Sequence, residues 1–245
     1  PDDPPFRITP HGLKMERLKA AGARAVFAIP FTWDFASFPA ERFVREVLAE
    51  GLSAAHIVVG YDFCFGQLRK GTPETIREGG LPVTVVEEVF DKGDEKLSST
   101  EIRQNLRHGK IDRANALLGW DWEIRGEVVK GDQRGRTLGY PTANVALGET
   151  VHPAYGIYAT LARIEGEDTW YSSATNIGIR PMFEVPTAQV ETFIFDFNRE
   201  IYGQMFHVKP IAYLRGEAKF ASLDELIVQM EKDCRNAREI IQKLP

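Results

Sequence analysis

The loop at residues 130–136 combines residue types that can bind phosphate. It reads Lys-Gly-Asp-Gln-Arg-Gly-Arg. Gly131 and Gly135 allow backbone N–H groups to approach an anion closely. Arg134 and Arg136 can neutralise phosphate oxygens. The composition of this loop therefore favours a phosphate site.

The segment that follows, Gly-Tyr-Pro-Thr-Ala-Asn at 139–144, offers ligands for a divalent cation. Thr142 and Asn144 are two residues apart, so both side chains point the same way in an extended segment. Two neutral oxygens beside phosphate oxygens suit Mg²⁺, which takes few protein ligands. The pattern is not a Walker A loop. On these residues alone, an ordinary turn and a phosphate–magnesium site are equally good interpretations.

A site of this kind needs a base for the incoming hydroxyl group. Glu191 lies within the strand-like run at 189–194. A carboxylate in a strand often only faces water, but beside a phosphate and magnesium loop it is the candidate catalytic base. Asn176 and Arg180 lie where another strand ends and are candidate ligand contacts, although a solvated arginine after a turn explains Arg180 equally well.

Two further candidates occur in the first half of the chain. Asp62, Phe63 and Phe65 follow a short apolar strand directly, and aromatic rings there can clamp a flat ligand by stacking. Ordinary core packing is the alternative. The sequence Ser-Ser-Thr-Glu-Ile-Arg begins at Ser98, before a predicted helix. It can cap that helix or bind phosphate at its N-terminus.

The composition restricts the possible functions. A chain of 245 residues with 43% hydrophobic residues is large enough for two globular domains. Its net charge of −5 does not favour nucleic acid as a partner. Two cysteines, Cys64 and Cys234, indicate neither a disulfide framework nor a zinc site, and Cys64 is expected to be buried. This cysteine usage makes a reducing cytoplasm the expected location. No apolar run reaches membrane-spanning length.

The periodicity of the chain changes near residues 118–122. Before this point, helices alternate with apolar strands, which predicts a parallel α/β sheet. The predicted helices are 12–21, 39–50 and 112–118, and the predicted strands are 23–31, 56–60 and 82–89. We therefore expect one domain at 1–118 and a second at 122–245.

The second half has short strand-like runs separated by turn residues, which predicts an antiparallel barrel or sandwich. The predicted strands are 123–130, 156–164, 170–177, 189–197 and 207–215. A long helix closes the chain, with Ser222 as its N-cap and Glu225 completing a capping box. Its apolar stripe is expected to pack on the barrel.

These motifs together resemble the bacterial bifunctional riboflavin kinase/FMN adenylyltransferase family, the FAD synthetases. The resemblance covers nearly the whole chain in a fixed order. The matching segments are 6–9, 60–66, 97–103, 131–136, 139–144, 176–181, 190–192, 202–203 and 214–220.

For the second half, the resemblance implies a six-stranded antiparallel barrel with riboflavin kinase activity. Thr142 and Asn144 would hold the Mg²⁺ of ATP, and the loop from Gly131 to Arg136 would lie against the phosphates. Glu191 would take the proton from the ribityl 5′-hydroxyl of riboflavin. The substrates and products are then ATP, riboflavin and FMN.

For the first half, the resemblance implies a nucleotidyltransferase-like domain that converts FMN to FAD. Ser98, Ser99, Thr100 and Arg103 would bind phosphate, and the loop with Asp62, Phe63 and Phe65 would bind the flavin. The family's Gly-x-Phe-Asp-Gly-x-His-x-Gly-His signature does not occur in this sequence. The N-terminal part of this domain is therefore expected to be missing, and these 245 residues are expected to make FMN but little FAD.

Two other interpretations fit the sequence less well. The chain could be a riboflavin kinase with a relic first domain, or a flavin- or nucleotide-binding module without catalysis. A binding module needs no base, so Glu191 distinguishes it from an enzyme. The acidic balance disfavours an RNA-binding barrel, and the sequence does not indicate an oligomeric state.

Overall fold

The computed structural model describes residues 5–90, 96–131, 135, 138–180 and 187–244, without the side chains of residues 180 and 187. Its internal packing divides the chain into two compact units. One unit comprises Ala23–Leu97, and the other comprises Pro1–Gly22 together with Ser98–Pro245. No helix among the described residues is long and apolar enough to cross a membrane.

The 23–97 unit contains a two-stranded parallel sheet with helices, which confirms the predicted α/β class. The strands are β1, Ile57–Gly60, and β2, Val83–Val86. The helices are α2, Trp33–Ala36, α3, Ala40–Arg42, which continues as a π-helix over Phe43–Gly51, and α4, Pro73–Glu78. A small core of Ala40, Val44, Phe65 and Ile76 holds these elements together.

Two predictions for this unit are wrong. Residues 23–31 form no strand, and Phe27 and Phe31 are 70% and 81% exposed. Among the described residues, no strand pairs with this run, and a strand is not stable without a partner. Cys64 is exposed rather than buried. The adjacent Phe65 takes the core position instead.

The other unit is built on a six-stranded antiparallel sheet, as predicted. Its strands are β3, Ile124–Glu127; β4, Ala143–Ala146; β5, Gly156–Ile164; β6, Tyr171–Arg180; β7, Thr187–Ile194; and β8, Met205–Arg215. The spatial order is β3-β8-β5-β6-β7-β4. The two edge strands approach each other, since Val129 just after β3 donates its N–H to the Asn144 carbonyl at 2.9 Å. The sheet therefore forms a nearly closed barrel.

Apolar side chains fill the interior of this barrel. Tyr158, Ile177, Val190, Phe206 and Val208 have no measurable exposure. Alternate residues along each strand point to the opposite face. The outer face is therefore available for polar side chains and for a covering helix.

The helices with described bounds in this unit are α1, His11–Ala20; α5, Ser99–Arg107; α6, Ile111–Leu118; and α7, Leu223–Ile241. The α7 helix starts as predicted, because the Ser222 hydroxyl accepts the Glu225 N–H at 3.2 Å. Packing places α5 and α6 with the barrel rather than with residues 23–97. Packing units need not coincide with domains, so the domain boundary predicted at 118–122 stays a prediction.

Candidate active site

Three predicted site residues lie side by side on neighbouring strands. Glu191 on β7 is opposite Asn144 on β4 and opposite Asn176 on β6. Side chains directly opposite in an antiparallel ladder share one face and are close neighbours. The fold therefore flanks the candidate base with two amides, although the three residues are far apart in sequence.

This row lies on the outer face of the barrel. Its chain neighbours Val145, Val190 and Ile177 belong to the interior core. Further along the same outer face, Ala174 packs with Ala237 of α7 in a separate apolar cluster. The row of Asn144, Glu191 and Asn176 therefore lies on the face that α7 partly covers.

A cavity of about 360 Å³ opens between this face and α7, and we call it the helix cavity. Its charged and amide side chains are Asn176, Glu191, Arg215, Glu217 and Asp233. Much of the remaining lining is apolar or aromatic: Leu138, Tyr140, Phe193, Phe220, Leu226 and Met230. Few polar groups among aromatic walls are typical of a site for a flat organic ligand.

A second cavity of about 300 Å³, the loop cavity, is lined by Gly131, Thr142, Asn144 and residues 197–202. Thr142 lines both cavities. Ligands in the two cavities would therefore meet beside Thr142, close to the row that contains Glu191.

Thr142 and Asn144 lie close together, as their spacing predicts. The Asn144 amide donates to the Thr142 carbonyl at 3.0 Å and approaches the Thr142 hydroxyl at 3.4 Å. A Cβ atom added at Gly131 would lie 2.7 Å from the Asn144 side chain. Glycine at this position therefore allows the loop backbone to pack directly on the amide.

The remaining predictions for the loop fall partly outside the described residues. Gly135 packs its Cα against the carbonyl of Tyr140, so any larger residue would clash there. Arg134 and Arg136 lie outside the described residues. Arg180 ends β6, and its side chain is likewise not described.

One buried acceptor in the helix cavity has no partner among the described residues. The Asn176 Oδ1 atom is inaccessible to solvent and makes no hydrogen bond. Buried polar atoms are nearly always paired, and an exception indicates a missing partner. A ligand that donates a hydrogen bond to Asn176 would satisfy this atom.

Two weakly acidic side chains of the helix cavity, Tyr140 and Cys234, have raised pKa values. Burial raises the pKa of Tyr140. Burial, reinforced by the neighbouring Asp233 carboxylate, raises the pKa of the Cys234 thiol to about 11. Both side chains therefore act as cavity walls rather than as nucleophiles.

The candidate residues of the first half belong to both units. Ser98 caps α5 by accepting the Glu101 N–H at 3.1 Å, and Arg103 donates to the Phe6 carbonyl at 2.7 Å. Phe65 is buried in the core of the 23–97 unit, whereas Phe63 stacks on it and stays 36% exposed. Each group is ordered locally by these contacts.

Known families match both halves of the chain. A family model described as riboflavin kinase matches residues 118–241, and one described as FAD synthetase matches residues 1–101. A bifunctional riboflavin kinase/FMN adenylyltransferase from Bacillus subtilis is 37% identical and covers 96% of this chain and 75% of the relative. Its Escherichia coli counterpart is 35% identical, over 97% and 77%. The chain belongs to this family.

A solved structure supports the same fold. A protein from Streptococcus pneumoniae, titled a macrolide-efflux protein, superposes with a TM-score of 0.80 at 35% identity, over 94% of this chain and 75% of the other. The family membership confirms the resemblance on which the kinase and adenylyltransferase interpretation rests.

Sequence reasoning missed several residues of the helix cavity. Tyr140, Phe193, Arg215, Phe220 and Asp233 line it, and none was a candidate site residue. A signal existed for three of them, because the segments 139–144 and 214–220 are among the matches to the family. The contribution of Asp233 could not be predicted, since it lies outside the apolar stripe of α7 that is expected to face the barrel.

Proposed function

We propose that residues of the barrel transfer the γ-phosphoryl group of ATP to the 5′-hydroxyl of riboflavin, giving FMN and ADP. The single observation that carries this proposal is the position of Glu191. It lies between Asn144 and Asn176, in the row that borders both cavities. A binding module would need no carboxylate at that point.

In this proposal the helix cavity holds riboflavin and the loop cavity holds the phosphates of ATP. The aromatic walls contact the flavin ring, and Asn176 accepts a hydrogen bond from the flavin. The ribityl chain extends toward Thr142, where the two cavities meet. The loop from Gly131 to Arg136 approaches the phosphate oxygens.

Glu191 acts as the general base. Its carboxylate takes the proton of the 5′-hydroxyl while that oxygen forms a bond to the γ-phosphorus and the bond to the β-phosphate oxygen breaks. The proton stays on Glu191, and ADP leaves. Phosphoryl transfer depends mainly on positioning and charge stabilisation, so the register that fixes Glu191 matters as much as its basicity.

Thr142 and Asn144 fit Mg²⁺, because their side chains are close together and each offers a neutral oxygen. When bound with ATP, the cation would neutralise charge on the phosphate oxygens. Gly131 keeps the Asn144 side chain in place by packing against it.

We infer that the family's second activity, adenylylation of FMN to FAD, uses the first half of the chain. Ser98, Ser99, Thr100 and Arg103 would bind phosphate, and Asp62, Phe63 and Phe65 would bind the flavin. The N-terminus of α5 supplies the dipole and N–H groups for such a contact. FAD formation from supplied FMN measures this half separately from the kinase, and we expect little FAD because the Gly-x-Phe-Asp-Gly-x-His-x-Gly-His signature does not occur in these 245 residues.

We also expect small-molecule partners only, without nucleic acid, in a cytoplasmic protein. The acidic net charge supports this expectation.

Replacement of Glu191 by Gln tests the kinase mechanism. We expect the rate of FMN formation to fall by roughly 10²- to 10⁴-fold, the usual contribution of a positioned base, with nearly unchanged riboflavin affinity. Chromatographic separation of the flavins after incubation with riboflavin, ATP and Mg²⁺ measures the rate. Glu165→Gln, at an exposed turn outside both cavities, is the control. A Glu191→Gln enzyme as fast as the control would exclude Glu191 as the base.

A further inference from the structure

An ion pair between β8 and α7 borders the helix cavity. Arg215, the last residue of β8, donates its Nε–H to both carboxylate oxygens of Asp233 at 3.1 and 3.0 Å, and its Nη2–H at 2.6 Å. Gln229 also donates to Asp233, at 2.8 Å. The Asp233 side chain is only 6% exposed. The carboxylate is therefore fixed from two sides inside the protein.

The Arg215 guanidinium is held in one orientation as a result. Its Nη1 donates to the Gly216 carbonyl at 2.9 Å, in addition to the three contacts with Asp233. Arg215 also pairs with Ile157, which pairs with Asn176, so it extends the row that contains Glu191. Both Arg215 and Asp233 line the helix cavity.

The guanidinium also supports an aromatic wall of the cavity. It lies 5.8 Å from the centre of the Phe220 ring, within the range of a cation–π contact. Phe220 lines the same cavity. Displacement of the guanidinium would therefore change both a polar group and an aromatic wall of this cavity.

Stability alone does not account for this pair. A buried ion pair often contributes little net stability, because desolvation offsets the attraction. The helix has a second Arg–Asp pair, Arg238 with Asp196, in which Arg238 donates at 2.8 and 3.2 Å. Its guanidinium also lies on an aromatic ring, 4.2 Å from the centre of Phe195. This second pair is exposed and lines neither cavity.

We propose that Asp233 is a positioning residue for the flavin substrate and acts through Arg215. Asp233 orients the guanidinium so that its remaining N–H groups meet a carbonyl oxygen of the flavin ring while Phe220 contacts the ring. The inference rests on the proposed riboflavin kinase function. It assigns to α7 a role in the recognition of riboflavin rather than of ATP.

Replacement of Asp233 by Asn should raise the riboflavin KM roughly tenfold, as expected for the loss of one charge-assisted interaction. The ATP KM and kcat should change less than about threefold, because neither the loop cavity nor Glu191 loses a contact. Asp196→Asn is the matched control and should change neither KM. Quenching of riboflavin fluorescence without ATP gives the flavin affinity independently of turnover.

The results separate the possible failures. A wild-type protein that makes no FMN refutes the proposed function. An active wild type with an unchanged riboflavin KM in Asp233→Asn refutes the positioning role. Equal increases in the riboflavin KM and the ATP KM, with a lowered Tm in both Asp→Asn variants, would also refute the positioning role. Asp233 would then only stabilise the packing of α7 on the barrel.

A second variant keeps the test decisive if Asp233→Asn does not fold. Gln229→Met removes only the amide that donates to Asp233 and retains the length of the side chain. We expect a selective rise of about twofold to fivefold in riboflavin KM, since one neutral hydrogen bond is lost. An unchanged riboflavin KM in this variant would overturn the proposal.

Discussion

The two units of this chain solve the problem of burying a sheet in different ways. The barrel of residues 124–215 has six strands, and the core residues along them are closed off from water. Among the described residues of the 23–97 unit, the strands are β1 and β2, and both alternate half-buried with exposed residues. Val58 on β1 is 63% exposed. Two strands alone have too little apolar area to hold a sheet firmly.

The difference extends to the way each unit positions its candidate ligand residues. In the barrel, Glu191 is fixed by pairing with strands on both sides. In the other unit, Asp62 and Phe63 lie on the turn after β1, and the neighbouring Phe65 anchors the turn in the core. Strand register therefore positions the proposed kinase residues, whereas a small core positions the candidate flavin loop of the first half.

Because the two units have separate cores, a cavity-creating substitution in one core should destabilise that unit first. Ile76 and Ile177 are both fully buried, one in each unit. Replacement of either by Ala should lower the free energy of unfolding by about 2–5 kcal/mol. Ile76→Ala should unfold residues 23–97 first, because their core is small. Ile177→Ala should instead reduce FMN formation, because Ile177 adjoins Asn176.

Hydrogen exchange by mass spectrometry, analysed separately for peptides of each unit, measures the first effect, and a flavin assay measures the second. Wild-type protein at the same temperature is the reference. Loss of protection in both units of Ile76→Ala would mean that the chain unfolds as one cooperative structure.

Acid should distinguish the units as well, since the buried charged side chains among the described residues all belong to the barrel unit. Burial by itself would raise the pKa of Glu123, but hydrogen bonds from His207 at 2.8 Å and Arg125 at 2.5 Å lower it to about 2. A carboxyl group whose pKa is lower in the folded state stabilises that state at any pH above its pKa in the unfolded chain. This stabilisation is lost as the pH falls toward the pKa in the folded state.

Protonation of Glu123 should therefore lower the free energy of unfolding of the barrel unit by on the order of 3 kcal/mol between about pH 4.5 and pH 2. Denaturant unfolding across this range, compared with Glu123→Gln, measures the contribution. Glu123→Gln should be less stable at neutral pH and should show a shallower dependence on pH. Parallel pH curves for the two proteins would contradict the role of Glu123.

Local pattern was sufficient to predict most elements of the barrel. The β5 strand was predicted with its observed bounds, because a mainly apolar run between turn residues marks it. The β4 strand was missed. Its four residues, Ala143–Ala146, have no strong strand pattern, and pairing with β7 makes them a strand.

Local pattern also selected Thr142, Asn144, Asn176 and Glu191 as candidates, but it did not predict how the strands arrange them. The register of β4, β7 and β6 places these residues together, and register depends on contacts distant in sequence. For the same reason the Arg215–Asp233 pair could not be predicted, since it requires the docking of α7. At 23–31 a strand was predicted that the structure does not contain. The run is apolar, but local pattern does not show whether a pairing partner exists.

The smallest change that tests the comparison adds one methyl group to the barrel site and leaves both cores intact. In Gly131→Ala the new Cβ would lie 2.7 Å from the Asn144 side chain, so the amide must move. We expect the ATP KM at limiting Mg²⁺ to rise by roughly tenfold, because one oxygen ligand of the proposed magnesium site is displaced. The riboflavin KM should stay unchanged, since Gly131 does not line the helix cavity.

Steady-state kinetics with each substrate varied in turn, repeated over a range of Mg²⁺ concentrations, measures this effect. Gly12→Ala is the matched control, because a Cβ at Gly12 in α1 meets nothing within 4 Å. An equal rise in both KM values would indicate a general disturbance of the barrel. An unchanged ATP KM would mean that Asn144 is not a ligand of the metal. The pairing that places Asn144 opposite Glu191 would then not define the proposed kinase site.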